Sequence, residues 1–227
     1  MPESPDHTVR IWDLPIRLFH WLLALAVIGA VVTARIGGNA MEWHFLLGYS
    51  LFVLLAFRLL WGVVGGRWSR FASFVYAPAT VLRYLRGQQR AGEHLDVGHS
   101  PTASFSVFAL LGFLMLQVAT GLVSDDDIGN AGPLNKFVSA DLASQAGSWH
   151  TELGQWLIIT LVGLHVVAIM YYLVRKRINL TRAMLSGDKV LPPGTPASAD
   201  GWRQRLLAVV LLAACAGFVT WVVKLGR

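Results

Sequence analysis

The sequence predicts an all-α integral membrane protein: a four-helix transmembrane bundle followed by a fifth, C-terminal transmembrane helix. Three observations carry that reading. Of 227 residues, 55% are hydrophobic and 14% charged, whereas soluble domains carry about a quarter charged residues. The apolar residues gather in five runs, each close to the ~20 residues needed to cross a ~30 Å hydrocarbon core. Trp12, Trp21, Trp43, Trp61, Trp68, Trp149, Trp202 and Trp221 stand near the ends of those runs, as interfacial belts do.

The first run covers residues 16–36. The second, 44–65, contains a single charge, Arg58, and the third, 102–123, contains none. The fourth covers 149–174 and the fifth 206–223. Backbone polar groups in lipid must be satisfied within the segment, so each run is expected to be a helix. Between the second and third, "YAPATVLRYLRGQQR" reads as a short basic amphipathic helix lying on the cytoplasmic face. "DKVLPPGTPASADG" reads as a Pro/Gly/Ser linker. The expected organisation is therefore a core domain at 9–189, a linker at 190–202 and an additional helix at 203–227.

Charge sets the orientation. With the N-terminus cytoplasmic, that side receives fourteen Lys/Arg residues: Arg10, Arg17, five arginines from Arg67 to Arg90 and seven basic residues from Arg175 to Arg205. The other side receives four, Arg35, Lys136, Lys224 and Arg227, with the acidic run Asp125, Asp126, Asp127. That is a positive-inside pattern, and the first run is expected to be an uncleaved anchor in a multi-pass inner-membrane protein. The net charge of +6 is spread over loops between apolar runs, which argues against a nucleic-acid partner. Cys215 is the single cysteine, which excludes an intramolecular disulfide, a CxxC metal site and a CxxCH attachment of haem. Any cofactor must be held by nitrogen or oxygen ligands.

Four of the seven histidines lie in the apolar runs or at their ends. His7, His94 and His99 fall in polar connections and read as solvated. His20 lies near the cytoplasmic end of the first run, and His44 and His150 at the outer starts of the second and fourth. His165 follows His150 by fifteen residues, a rise of ~22 Å with an azimuthal remainder of ~60°. Depth matching gives an outer pair, His44 with His150, and an inner pair, His20 with His165. Ionisable groups within spans are functional candidates. Two facing imidazoles at each of two depths suit two bis-histidine haems, a six-coordinate arrangement made for electron transfer. A histidine-lined metal path is the competing reading, although it would want carboxylates beside the imidazoles. A haem-free membrane anchor is a third.

Arg58 stands fourteen residues after His44, ~21 Å along the helix and ~40° off in azimuth. It suits a haem propionate at the inner depth, or a side chain snorkelling to the surface. Arg35, fifteen residues after His20, lies near the same face at the outer depth, where it can also serve as an interface anchor. Gly48, one turn from His44, would let a porphyrin approach the backbone or let helices pack closely. Trp149, Lys136 and the 124–148 loop are candidates for an outer quinone site or a docking surface.

With these residues in view, the chain resembles the bacterial cytochrome b561 and nickel–iron hydrogenase b-type cytochrome family. The stretches are "VRIWDLPIRLFHWLL" (9–23), "HFLLGYSLFVLLAFRLLWGVVG" (44–65), "GHSP" (98–101), "TGLVSDD" (120–126) and "WHTELGQWLIITLVGLHVVAIMYYLVRKRINLTRAMLSGDK" (149–189). The resemblance implies a four-helix bundle with two haems b, ligated here by His20, His44, His150 and His165. It implies electron transfer, as the membrane subunit of a quinone-linked oxidoreductase, between membrane quinone and a partner such as a hydrogenase or a c-type cytochrome. Some members oxidise superoxide and pass the electron to quinone, for which Lys136 could steer the anion. The fifth helix departs from the stand-alone four-helix members.

Overall fold

A computed structural model describes residues 7–90, 92–125 and 129–226. Asp126 and Asp127 of the acidic run, and Arg227, lie outside the described residues. Strand β1 (His7–Arg10) leads into α1 (Leu14–Ile36) and α2 (Ala40–Val64). A 3-10 turn (Phe71–Ser73), α3 (Pro78–Leu85) and α4 (Pro101–Val123) follow. A second 3-10 turn (Asn135–Phe137) precedes α5 (Ala140–Ser148), a π-helical turn (Trp149–Leu153) and α6 (Gly154–Val174). Last come α7 (Leu180–Ser186), β2 (Asp188–Leu191) and α8 (Trp202–Leu225).

Among the described residues, five helices are long and apolar enough to cross a membrane: α1, α2, α4, the continuous Ala140–Val174 helix and α8. Each turns large apolar side chains outward, among them Leu25, Val63, Phe105, Leu164 and Trp221. Such surfaces need hydrocarbon around them. The all-α membrane class expected from the sequence is the one observed, and α3 lies within the stretch read as an amphipathic helix. Local chemistry sets the ends. Asp13 Oδ1 accepts the Ile16 N–H at 2.9 Å and caps α1. Gly37 and Gly38, at φ 68° and 54°, supply the left-handed turn that stops it. Pro78 and Pro101 open α3 and α4, and the Ser139 hydroxyl caps α5 through Leu142 N–H.

The chain divides into two compact units. One comprises the stretch ending at Phe19, Arg58–Phe108 and His165–Val209. Its centre is Asp13, fully buried, whose carboxylate accepts from Ile16 N (2.9 Å), Trp61 Nε1 (3.0 Å), Gly66 N (3.2 Å) and Ser69 Oγ (2.5 Å). A Cβ at Gly66 would overlap Asp13 Oδ2, which is why the chain is bare there. β1 pairs antiparallel with β2, His7 opposite Leu191 and Arg10 opposite Asp188, a small sheet with no counterpart in the sequence reading. Arg10 bridges Asp188 at 2.6 Å and Asp200 at 2.9 Å.

The segment read as a linker is hydrogen-bonded into this unit. Ser198 Oγ donates to Ile11 O (2.6 Å), Ser198 N to Arg10 O (2.7 Å), and Trp68 Nε1 to Pro196 O (2.8 Å). His99 is not simply solvated: its ring centroid lies 4.8 Å from Trp12 and 4.5 Å from Phe74.

The other unit comprises His20–Phe57, Ala109–Leu164 and the stretch beginning at Val210. Ala26, Ala30 and Leu51 form its buried centre, with Leu23, Val27, Leu47 and Val118 packed around them. Small residues on α1 allow the approach: a Cβ at Gly29 would sit 2.9 Å from Leu47 Cδ1.

Candidate cofactor site

His44 lies near the start of α2, and its Nδ1 is 2.9 Å from Ala30 O on α1. His150 lies in the π turn, and its Nδ1 is 2.8 Å from Gln117 O on α4. A carbonyl only accepts, so in both rings the proton sits on Nδ1 and donates. Each Nε2 therefore presents its lone pair, the tautomer that metal-binding imidazoles adopt when a carbonyl orients them. The ring centroids are 6.0 Å apart with planes at 83°. Two imidazoles bound end-on to one ion, at about 2 Å per metal–nitrogen bond, hold their centroids roughly 6 Å apart.

The π turn explains how His150 reaches this position. A π turn inserts one residue into the helical ladder and deprives a carbonyl of its usual partner. Gln117 Nε2 supplies one, donating to His150 O at 2.7 Å. Gln117 thus holds the residue at both ends, its own carbonyl taking the ring proton. Gly121 makes room, since a Cβ there would stand 2.7 Å from His150 Cε1. The extra residue also changes the azimuth between His150 and His165. The fifteen-residue spacing behaves like about fourteen α-helical residues, an offset of roughly 40° in the opposite sense.

The remaining candidates fall as follows. A Cβ built at Gly48 meets nothing within 4 Å, so there is open space one turn beyond His44. Arg35 is exposed and stacks on Trp156, 4.8 Å from the ring centroid. Arg58 does not reach water: it is 2% exposed, its guanidinium lies 4.5 Å over Phe71, and its Nη1 is buried without a hydrogen-bond partner. His20 is half-buried in one unit, edge-on to Trp21 at 5.1 Å. His165 is half-buried on α6 in the other. Among the described residues no group of three or more His, Cys, Asp or Glu could hold a metal ion.

Residues 11–187 match the family model described as prokaryotic cytochrome b561. The chain belongs to that family. It is a membrane b-type cytochrome, and a b-type cytochrome holds haem b. Similar proteins include probable Ni/Fe-hydrogenase B-type cytochrome subunits of three bacteria. That of Bradyrhizobium diazoefficiens is 26% identical over 80% of this chain and 86% of its own length. The Cupriavidus necator protein is 26% identical over 78% and 85%. That of Escherichia coli K12, a hydrogenase 1 subunit, is 24% identical over 82% and 92%. No solved structure matches the chain.

The residues fit the group. The porphyrin brings four nitrogens, so two protein imidazoles complete six-coordinate iron. His44 and His150 have the tautomer and separation for that, beside the open space at Gly48. Arg58 Nη1 is a buried cation donor awaiting an acceptor, and a propionate carboxylate is a natural one.

Sequence reasoning named both histidines but passed over Asp13, Gln117 and Gly121 in its site. Two had signals. Asp13 directly precedes an apolar run, the helix-start signature. Gln117 is the only amide side chain in the third run, where a polar group needs a reason to be.

Proposed function

We propose that this protein carries electrons through two bis-histidine haems b, between the membrane quinone pool and a redox partner protein. The observation that carries the reading is the His44–His150 pair: two rings at 6.0 Å, each with Nδ1 committed to a carbonyl, which leaves Nε2 as the nitrogen with a lone pair. Haem b supplies the one-electron iron couple. His44 and His150 would hold the outer haem, with Gln117 and Ala30 fixing their rings. His20 and His165, matched by their depths in the sequence, would be the ligands of the inner haem. Arg58, whose Nη1 is buried without a hydrogen-bond partner, would offer its charge to a haem propionate. Gly48 leaves room for the outer macrocycle, and Arg35, stacked on Trp156, anchors the outer end.

Residues 9–189 make the haem-binding part, 190–202 the connecting strap and 203–227 an added helix. The Lys/Arg count supports a bacterial inner-membrane protein with its N-terminus in the cytoplasm. The names of the relatives support a hydrogenase as the partner.

The test is a dithionite-reduced minus oxidised spectrum of the detergent-purified protein, with pyridine haemochrome quantification. Two low-spin b haems per chain are expected, with His150→Ala and His165→Ala each removing one. Two haems retained in His165→Ala would refute the inner pair. A folded, colourless protein would refute the whole reading.

A further inference from the structure

Gly154 opens α6 directly after the π turn, and two polar atoms crowd its bare Cα. A Cβ built there would overlap the Gln117 side-chain oxygen and stand 2.6 Å from Trp149 Nε1. Atoms so near one point lie within about 5 Å of each other, a span that a direct hydrogen bond or one bridging water closes. Gln117 Oε1 is an acceptor, and the indole nitrogen of Trp149 is only a donor. Each is buried and has no hydrogen-bond partner. Such orphans are costly one at a time, and here each supplies what the other lacks.

A second observation is what this amide holds. Gln117 Nε2 donates to His150 O at 2.7 Å, and the Gln117 backbone carbonyl lies 2.8 Å from His150 Nδ1. An amide whose oxygen accepts a hydrogen bond donates more strongly through its nitrogen. A donor on Oε1 therefore tightens the bond that holds the π turn. With the turn it fixes the His150 ring, whose plane stands at 83° to that of His44. Trp149 lies in the same turn, one residue before the ligand. Trp149, Gln117, Gly154 and both histidines belong to one compact unit. Because Nε1 is buried, the indole nitrogen serves this turn rather than a molecule dissolved in the membrane.

We infer that Trp149 donates its N–H to Gln117 Oε1, directly or through one water, and is thereby a positioning residue for His150 at the outer haem. The inference rests on the outer haem proposed at His44 and His150. With the bond made, the Nδ1–H of His150 stays on the Gln117 carbonyl. That contact makes the imidazole a stronger donor to iron and favours the ferric state. Gly154 is part of the device, since any side chain there would part the two atoms.

The test compares Trp149→Phe, Gln117→Leu and the double variant as detergent-purified holoprotein, by redox titration and by low-temperature EPR of the ferric haems. Crossed imidazoles donate equally into two iron d orbitals, so the largest ferric g value reports the angle between the ring planes. Trp149→Phe keeps an aromatic ring and loses the N–H. It should retain the outer haem and lower its largest g value. It should also raise the ferrous-to-ferric ratio of that haem at a fixed potential about fivefold, as loss of one hydrogen bond does. The inner haem should not move. Adding Trp149→Phe to Gln117→Leu should give no further shift, because the indole acts through the amide. Gly154→Ala should reproduce the Trp149→Phe shift, and it decides the matter if Trp149→Phe loses haem. An outer haem unchanged in either single variant, or shifts that add in the double variant, overturns the inference and leaves the two-haem reading standing. A wild type without a haem that His150→Ala removes overturns both.

Discussion

Replacing Asp13 by alanine should destabilise the protein more than any other single change at the start of α1. The carboxylate accepts four hydrogen bonds while fully buried. The Ser69 hydroxyl can rotate to another acceptor. The N–H groups of Ile16, Trp61 and Gly66 cannot, and Trp61 is itself fully buried. A buried donor stripped of its acceptor costs about 1–3 kcal/mol, so three of them set a floor of about 3 kcal/mol. For a chain of this size that corresponds to roughly 6–12 °C in Tm.

Asp13→Asn keeps the shape and one oxygen but loses the charge, so it should fall about half-way between. The assay is thermal melting of the detergent-solubilised holoprotein, followed by fluorescence-detected size exclusion and by haem retention. Exposed Glu42→Ala serves as a control and should melt with wild type. Asp13→Ala melting within about 2 °C of wild type would show that other acceptors replace the carboxylate and would refute the reasoning.

Gly121→Ala should push the His150 ring from its seat, because the new methyl would stand 2.7 Å from Cε1. Haem content measured by pyridine haemochrome should then fall from two toward one per chain. Gln117→Leu should leave the His150 carbonyl without its amide partner, costing about 1–3 kcal/mol, and should shift the outer haem in redox titration while the inner one stays put. Asp200 supplies a pH test. Burial alone would raise its pKa, but the Leu14 N–H, Arg205 and Arg10 together hold it below its ordinary 3.8. A depressed carboxyl stabilises fully above that ordinary value and loses the effect as pH falls through its lower folded value. Protection factors of the β1 and β2 amides, taken relative to intrinsic exchange at each pH, should therefore fall below about pH 4 in wild type. Asp200→Asn should exchange faster already at neutral pH, with a flatter acid limb.

The spans were legible because hydropathy is a local property. Residues 102–123, read as the third crossing, differ from α4 by one residue at one end. The fourth run was read from residue 149, but the continuous helix starts at Ala140. Residues 140–148 are too mixed to register as apolar, and it is the Ser139 cap that begins the helix there. The His44 and His150 rings stand 6.0 Å apart, and depth matching could anticipate that nearness because two residues near helix ends need only neighbouring helices to meet. It could not reveal the π turn. A π turn keeps the same residues and changes only which carbonyl each N–H meets, and the partner that repairs it, Gln117, is 33 positions away.

The sequence by itself determined that five runs are long and apolar enough to cross a membrane, that four histidines lie in those runs or at their ends, and that no thiol chemistry is available beyond one cysteine. Composition and period settle those matters, since transfer free energy and helix rise act on each segment alone. Only the tertiary structure decided the rest. Nδ1 of His44 and His150 point at carbonyls of other helices, Asp13 gathers donors up to 56 positions away, and Ser198 ties the strap to Ile11 across 187 positions. Such bonds leave no periodic trace, because each joins single groups whose meeting depends on every intervening turn of the chain.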